Sequence, residues 1–161
     1  MIPFTTELST DFESARIELI DRYQQLANAV NGRSESWTPT LGGSSTDGTV
    51  TYTTQVGWLS RIGSLIDIWF SIVWSAHSGT GNLELILPFE VLDNDSNIWV
   101  GEVSDASITY TGKTHLNVIG KANDDRAEFV ASVTGGARST VAVQAAGTLE
   151  GHLRYITKQR R

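Results

Sequence analysis

The sequence predicts a mainly β protein, in which an N-terminal arm and a single α-helix precede an antiparallel, jelly-roll-like β-sandwich. Three observations indicate this fold: the helix signal is confined to the first 31 residues, alternating apolar positions follow it, and turn-forming residues separate about ten short strands. We therefore divide the chain into an anchoring or oligomerisation segment, residues 1–31, and a β-sandwich domain, residues 32–161.

The helix is expected to begin at Thr10 and to end at Asn31-Gly32. In the capping box Thr10-Asp11-Phe12-Glu13, the Thr10 hydroxyl accepts a hydrogen bond from the Glu13 N–H, and the Glu13 carboxylate accepts one from the Thr10 N–H. Asn31 and Gly32 tolerate the left-handed conformation in which many helices end. The preceding arm, residues 1–9, has no regular pattern, and our hypothesis is that it becomes ordered on a neighbouring subunit.

One side of this helix carries apolar residues at heptad spacing, with Arg16 as a polar exception. A lone helix of this length is weakly stable in water, so its apolar side must pack on something. Two alternatives stay open, namely packing on its own β domain or packing on copies of itself or a larger particle. The expected contact residues, which we name the helix stripe, are Phe12, Leu19, Tyr23, Leu26 and Val30.

The clearest strand runs from Leu65 to Ser75, because side chains alternate between the two faces of a strand. The odd face is mixed, and there Trp69 lies among Asp67 and Ser71. Trp69 is expected either to be buried under the helix or another sheet, or to contact a subunit or a glycan. The even face is apolar throughout: Ile66, Ile68, Phe70, Ile72 and Trp74.

Turn signals separate the remaining elements. Residues 33–36 are interpreted as a polar linker, residues 42–48 as a flexible loop, and Gly112-Lys113 as a short hairpin connection. The other predicted strands are Val50–Gln55, Gly57–Ile62, Asn82–Leu87, Ile98–Val103, Ala106–Thr111, Thr114–Gly120, Ala127–Val133, Thr140–Ala145 and Leu149–Thr157.

Composition argues against several classes of protein. The formal charge of −6 opposes nucleic-acid binding, which needs a basic surface. The chain has no cysteine, so it has no disulfide framework and no thiolate metal site. No apolar run is long enough to span a membrane, and the N-terminus lacks the pattern of a signal peptide. The basic residues near the end, Lys158, Arg160 and Arg161, form either a frayed terminus or a contact with an acidic partner.

No catalytic or metal-binding constellation stands out. No serine lies in a nucleophile elbow, and the histidines do not form a local pair. Residues 93–97 resemble a calcium loop, but Ile98 and Ser104 occupy the positions where an EF-hand needs glycine and glutamate. We interpret this segment as a turn rich in Asp and Asn, and we expect no enzymatic activity, cofactor or metal. The alternative is a Ca²⁺ ion that takes further ligands from distant parts of the chain. The histidines are His77, His115 and His152.

A series of short motifs resembles the small β-domains of tailed-bacteriophage virions. In order, the motifs are Trp37-Thr38-Pro39-Thr40, Thr51-Tyr52-Thr53-Thr54-Gln55, Gly57-Trp58, Ile62-Gly63, Gly79-Thr80-Gly81-Asn82-Leu83 and Leu87-Pro88-Phe89. Such domains occur in head-decoration (cement) proteins, head fibres and tail-fibre tips. The resemblance covers roughly residues 37–89, and it implies jelly-roll-like domains that assemble as trimers with a structural role in the virion.

The resemblance and the helix stripe together lead to one expectation and one alternative. The expected function is that of a homotrimeric capsid cement protein on the virion surface, assembled in the host cytoplasm and bound to the major capsid protein or another virion protein. The alternative is a tail-fibre or head-fibre tip that recognises host surface glycans. Neither function involves nucleic acid or a membrane.

Overall fold

The computed structural model describes residues 7–30, 33–93 and 99–157. One helix, α1 (Glu7–Val30), precedes the strands, and no helix in these ranges is long and apolar enough to cross a bilayer. The strands are β1 (Arg33–Trp37), β2 (Thr40–Gly43), β3 (Val50–Ile62), β4 (Leu65–His77), β5 (Leu83–Ile86), β6 (Trp99–Ala106), β7 (His115–Gly120), β8 (Arg126–Ser132), β9 (Ser139–Thr140) and β10 (Gly147–Ile156).

The strands form one antiparallel sheet that curls on itself. Its order is β1-β3-β4-β10-β6-β7-β8-β5-β2, and β9 pairs with β8. The last described strand, β10, lies in the middle of the sheet, between β4 and β6. At the far edge β2 returns to β3, where the Leu41 N–H donates to the Tyr52 hydroxyl at 2.7 Å. The predicted fold, a mainly β chain with an N-terminal helix and a jelly-roll-like sandwich, is confirmed.

A single apolar core lies inside the curled sheet. Phe70 of β4 meets Phe129 of β8 edge to face, with their ring centroids 6.3 Å apart, so the two layers contact each other directly. The even positions of β4 from Ile66 to Trp74 all belong to this core and are at most 4% exposed. The prediction of one dry face on this strand is therefore confirmed. Burial of this apolar surface is the main stabilising contribution to such a fold.

The N-terminal boundaries differ from those predicted. The helix begins at Glu7, so Thr10 lies inside it and the expected capping box does not mark its start. Residues 33–36 are not a linker, because they belong to β1, whose pairing with β3 runs from Arg33 opposite Arg61 to Trp37 opposite Gly57. β1 is an edge strand, which pairs with a neighbour on one side only and can carry polar side chains. Polar residues do not give the alternating apolar pattern from which a strand is predicted.

Two predicted strands are in fact one. β3 continues from Val50 to Ile62 through Val56, and its pairing with β4 shifts register at Thr51 to Thr54. A shift of this kind is a β-bulge, which bends a strand without ending it. Gly42 and Gly43, predicted to lie in a loop, end β2 instead.

The predicted strand Ala106–Thr111 does not form. Ser107 has a φ of +63°, which interrupts an extended backbone. The Gln144 side chain then binds the N–H and the carbonyl of Thr109, at 2.9 and 2.8 Å, and takes the place of a neighbouring strand. Gly112-Lys113 therefore belongs to a longer connection between β6 and β7 and is not a tight hairpin.

Some predictions fall on residues outside those described. These are the first part of the arm, the helix stop at Asn31-Gly32, most of the calcium-like segment, and the basic C-terminus with Lys158, Arg160 and Arg161.

Candidate functional site

All five residues of the helix stripe lie on α1, as predicted. Leu19 is 55% exposed and Tyr23 is 66% exposed. The side chains of the other three lie outside the described part of the chain: Phe12, Leu26 and Val30. The stripe residues that can be placed are thus open to solvent in the single chain.

The described middle of α1, residues 14–25, has exposed side chains on every side. Glu18 and Arg22 form an ion pair at 2.7 Å on this surface, which adds a few tenths of a kcal/mol at most. Leu19 and Tyr23 do not pack on the β domain, which was the first of the two alternatives for the stripe. Contact with other chains stays a prediction.

A second apolar feature lies on the outer face of the sheet. Trp58 of β3 is directly opposite Trp69 of β4, and Trp69 is directly opposite His152 of β10. The rings of Trp69 and His152 lie 4.8 Å apart at an angle of 30°. We name these three residues the aromatic row. Trp58 is 57% exposed and Trp69 is 58% exposed, so Trp69 is not buried under the helix or another sheet.

Polar pairs flank the aromatic row on both sides. Ser71 and Glu150 are paired across β4 and β10 on one side, where the Ser71 hydroxyl donates to the Glu150 carboxylate at 3.1 Å. Asp67 and Arg154 are paired on the other side, where the guanidinium donates to the carboxylate at 2.6 Å. The His152 ring also lies 3.6 Å from Asp67.

The aromatic row forms one wall of a surface cleft of about 440 Å³. The ladder between β10 and β6 runs from Thr148 to Gly151, and Glu102 of β6 enters the cleft where this ladder ends. The cleft is lined by Val56, Trp58, Trp69, Phe70, Ser71, Glu102, Glu150, Gly151 and His152. It combines exposed indole rings with carboxylates, which is a pattern typical of small-ligand sites.

The remaining tryptophans serve the fold. Trp74 is 2% exposed, and its indole N–H donates to the Gln144 carbonyl at 3.0 Å. Trp37 is half-buried at the edge of the core, and its N–H donates to the Trp69 carbonyl at 3.2 Å. Trp99 is also half-buried against the core. The sequence-based assignment of Trp74 to the core is confirmed.

The histidines lie in three different settings. His77 is buried, and its Nε2 lies 3.0 Å from the Asp47 carbonyl oxygen. His115 is exposed at the start of β7. His152 belongs to the aromatic row. Within residues 7–30, 33–93 and 99–157, no group of three or more metal-ligating side chains comes together.

One buried carboxylate, Glu84 of β5, is held by two cations. It is 1% exposed, and it accepts hydrogen bonds from Lys121 at 3.0 Å and from Arg126 at 3.2 Å. Arg126 also binds Asp47 at 2.6 Å, and this hydrogen bond holds the pKa of Asp47 below its ordinary value. Burial alone would lower the pKa of Lys121, but its bonds to Glu84 and Asp124 outweigh burial and raise it. Each of these carboxylates has a cation beside it. The network is therefore suited to holding the loop that contains Asp47 against β5 and β8.

A second cleft, of about 470 Å³, lies beside the Leu87-Pro88-Phe89 motif. The Arg61 guanidinium lies over the Phe89 ring at 5.0 Å, a cation–π contact that closes one side of it. Its other lining residues come largely from the turn at Asn123 to Asp125. Since the exposed rings are in the first cleft, we take the first cleft and the helix stripe as the candidate functional surfaces.

No protein-family model, curated protein or solved structure matches this chain. The likeness to phage virion domains therefore stays a resemblance carried by the short motifs of residues 37–89.

Of the candidate contact residues, only Trp69 lies in the aromatic row. Its neighbours Trp58, Glu150 and His152 were not predicted from the sequence. One signal was present: Ile62-Gly63-Ser64-Leu65 is a two-residue hairpin, with Gly63 at a φ of +60° as a type II′ turn requires. That hairpin fixes the register that sets Trp58 opposite Trp69.

Proposed function

We propose that this protein is a structural component of a tailed-bacteriophage virion, a homotrimeric capsid cement protein that is assembled and anchored through its N-terminal helix. The single observation that carries the proposal is the exposed apolar stripe of α1, with Leu19 and Tyr23 open to solvent beside a β domain that has its own closed core. The resemblance of residues 37–89 to phage decoration domains supports the virion setting.

The helix needs a partner for its apolar side. α1 has 24 residues, and most of the stability of a helix in a protein comes from packing of its apolar side. Leu19 and Tyr23 occupy neighbouring core positions of a heptad, where copies of the same helix would interlock. Ile17 lies about 160° around the helix from Leu19, at about 100° per residue, and thus faces away from such a core.

A cement protein stabilises its shell by mass action. A ligand that binds only the assembled shell shifts the equilibrium away from expansion and loss of subunits. In this proposal the helix and arm contact the major capsid protein or another virion protein, and the β domain faces outward. No catalytic step is part of the proposed role.

The first test is the mass of the full-length chain in solution, measured by sedimentation equilibrium. We expect about three times the chain mass of 17.5 kDa for the natural sequence. Leu19→Asp and Tyr23→Asp should each give a monomer, because a carboxylate cannot be buried in the helix core without a large cost. Ile17→Asp is the matched control, equally exposed at 55% but off the stripe, and should stay trimeric. A monomeric natural protein would contradict the trimer.

The second test separates cement from fibre tip. Gel densitometry of purified virions gives the copy number, and a cell-binding assay reports host recognition. Hundreds of copies without cell binding would support the cement role. A handful of copies with cell binding would support the fibre-tip alternative, which the exposed aromatic row favours as a second candidate.

A further inference from the structure

The aromatic row is a rigid platform. Its three residues lie side by side on adjacent strands in the middle of the sheet. The backbone under Trp69 is held by the hydrogen bond from the Trp37 indole to its carbonyl, at 3.2 Å. Strands about 4.8 Å apart make a row of three rings roughly 10 Å long, which is comparable to a disaccharide.

The surroundings of the row suit hydrogen bonding to hydroxyl groups. Glu150 and Glu102 both line the cleft, and an ionised carboxylate only accepts hydrogen bonds. Asp67, on the other side of the row, is already bound by Arg154 at 2.6 Å. The free hydrogen-bonding capacity of the cleft is therefore mainly that of acceptors, which match sugar hydroxyls and repel anionic sugars.

We propose that the aromatic row binds a neutral saccharide, with pyranose rings stacked on Trp58 and Trp69 and hydroxyls donating to Glu150 and Glu102. The C–H face of a pyranose is flat and apolar, so it covers an indole face while its hydroxyl edge reaches the flanking carboxylates. The cleft volume of about 440 Å³ lies within the range of small-ligand sites.

Size distinguishes this ligand from a protein partner. The large apolar side chains exposed at the cleft are Val56, Trp58 and Trp69. A specific protein interface buries about 800 Å² on each partner, from some 20–30 residues a side. Three apolar side chains with carboxylates beside them form too small a core for that, whereas they suffice for one or two sugar rings. The proposal does not depend on trimer formation through the helix.

The test is calorimetric titration of the full-length protein with cellotriose and tri-N-acetylchitotriose, and with sialyllactose as an anionic comparison. At least one neutral trisaccharide should bind saturably, with a Kd near or below about 1 mM, and sialyllactose should bind more weakly. Trp69→Ala and Trp58→Ala should each weaken binding by about tenfold or more, and Trp69→Phe should retain most of it. Glu150→Gln should weaken binding by a few-fold, because it removes the charge from one acceptor.

Ile62→Ala is the matched control, since Ile62 is an exposed apolar residue of the same strand, 49% exposed, that does not line the cleft. Its affinity should equal that of the natural protein, and circular dichroism checks that each variant is folded. Leu19→Asp should also leave the affinity per chain unchanged, so failure of the trimer and failure of the saccharide site can be told apart.

Three results would overturn the proposal. The first is the absence of saturable binding of either neutral trisaccharide below about 10 mM. The second is binding that both tryptophan-to-alanine variants leave intact. The third is a loss of sedimentation mass in Trp58→Ala and Trp69→Ala without a loss of affinity, which would make the row a contact between subunits.

Discussion

At the scale of single residues, tryptophan has a different role on each face of β4. Trp74 is 2% exposed and bonded to Gln144, whereas Trp69 is 58% exposed beside Trp58. The indole is large and apolar with one donor, so it stabilises a core when its N–H is satisfied and binds partners when its face is open. Five residues along one strand separate these two roles.

We therefore predict that Trp74→Ala destabilises the fold by about 3–5 kcal/mol, since it leaves a large cavity and an unpaired carbonyl at Gln144. Trp69→Ala should cost about 1 kcal/mol or less, because its ring is already largely in water. Urea unfolding followed by circular dichroism measures both. Equal losses for the two variants would contradict the assignment of Trp69 to the outer face.

At the scale of elements, one ion pair ties the loop after β2 to β8. Arg126 at the start of β8 binds both carboxylate oxygens of Asp47, at 2.6 and 3.0 Å, and it also reaches the buried Glu84. A Cβ at Gly42 would lie against the Asp47 carboxylate, so a larger residue there would have to displace that carboxylate from its position beside Arg126. The loop is thus fixed by both charge and close packing.

Acid should loosen this loop. The Arg126 hydrogen bond lowers the pKa of Asp47 below its ordinary value of 3.8, so ionised Asp47 favours the folded chain above pH 3.8. That contribution is lost as the pH falls through the lower folded-state pKa. We predict that Asp47→Asn is less stable than the natural protein at neutral pH and that the difference narrows below pH 3.8. Urea unfolding between neutral and acid pH measures it.

A suitable control for this experiment is Asp125→Asn, which alters an exposed carboxylate on the turn before β8. Its stability should follow that of the natural protein across the same pH range. A constant gap between Asp47→Asn and the natural protein would mean that the ion pair has no pH-dependent role.

The helix, strands and loops also differ in whether the sequence near them predicts them. The helix, the dry face of β4 and most strands were predictable, because each follows a periodicity within its own residues. β1 was missed because its polar residues are held by pairing with β3. The strand predicted at the loop around Ser107 was wrong. A contact from Gln144 holds this loop, and a residue 35 positions further along the chain leaves no local pattern. Prediction of the aromatic row requires the register of β3, β4 and β10. The hairpin between β3 and β4 specifies the first of these two pairings, whereas β10 is distant in sequence from β4.

At the scale of the whole molecule, the described helix and the β domain are separate in their packing. Among the residues whose side chains the structure describes, all members of the core belong to the β domain, from Leu41 to Tyr155. The side chains of residues 14–25 are exposed and contribute little to that core. The division at residues 31 and 32 stays a prediction, which a truncated chain can test.

Deleting residues 1–31 should therefore leave a soluble β domain, which in the proposed role would no longer dock on the virion. Its Tm should not depend on protein concentration and should lie within about 4 °C of that of the dilute full-length protein. The Tm of the full-length protein should rise with concentration, because assembly stabilises the folded state by mass action. Thermal melts over a concentration series measure both Tm values. The prediction is contradicted if the truncated chain is unfolded, or if it docks as well as the full-length protein.

The central place of β10 has a consequence for how the protein is made. β10 is synthesised after β4 and β6, so each of these two strands has one open edge until residues 147–156 have emerged from the ribosome. Products of early termination would keep those edges and aggregate or be degraded before they reach a particle. In the proposed virion role, only chains that contain β10 would then enter assembly, so the fold itself would exclude truncated subunits.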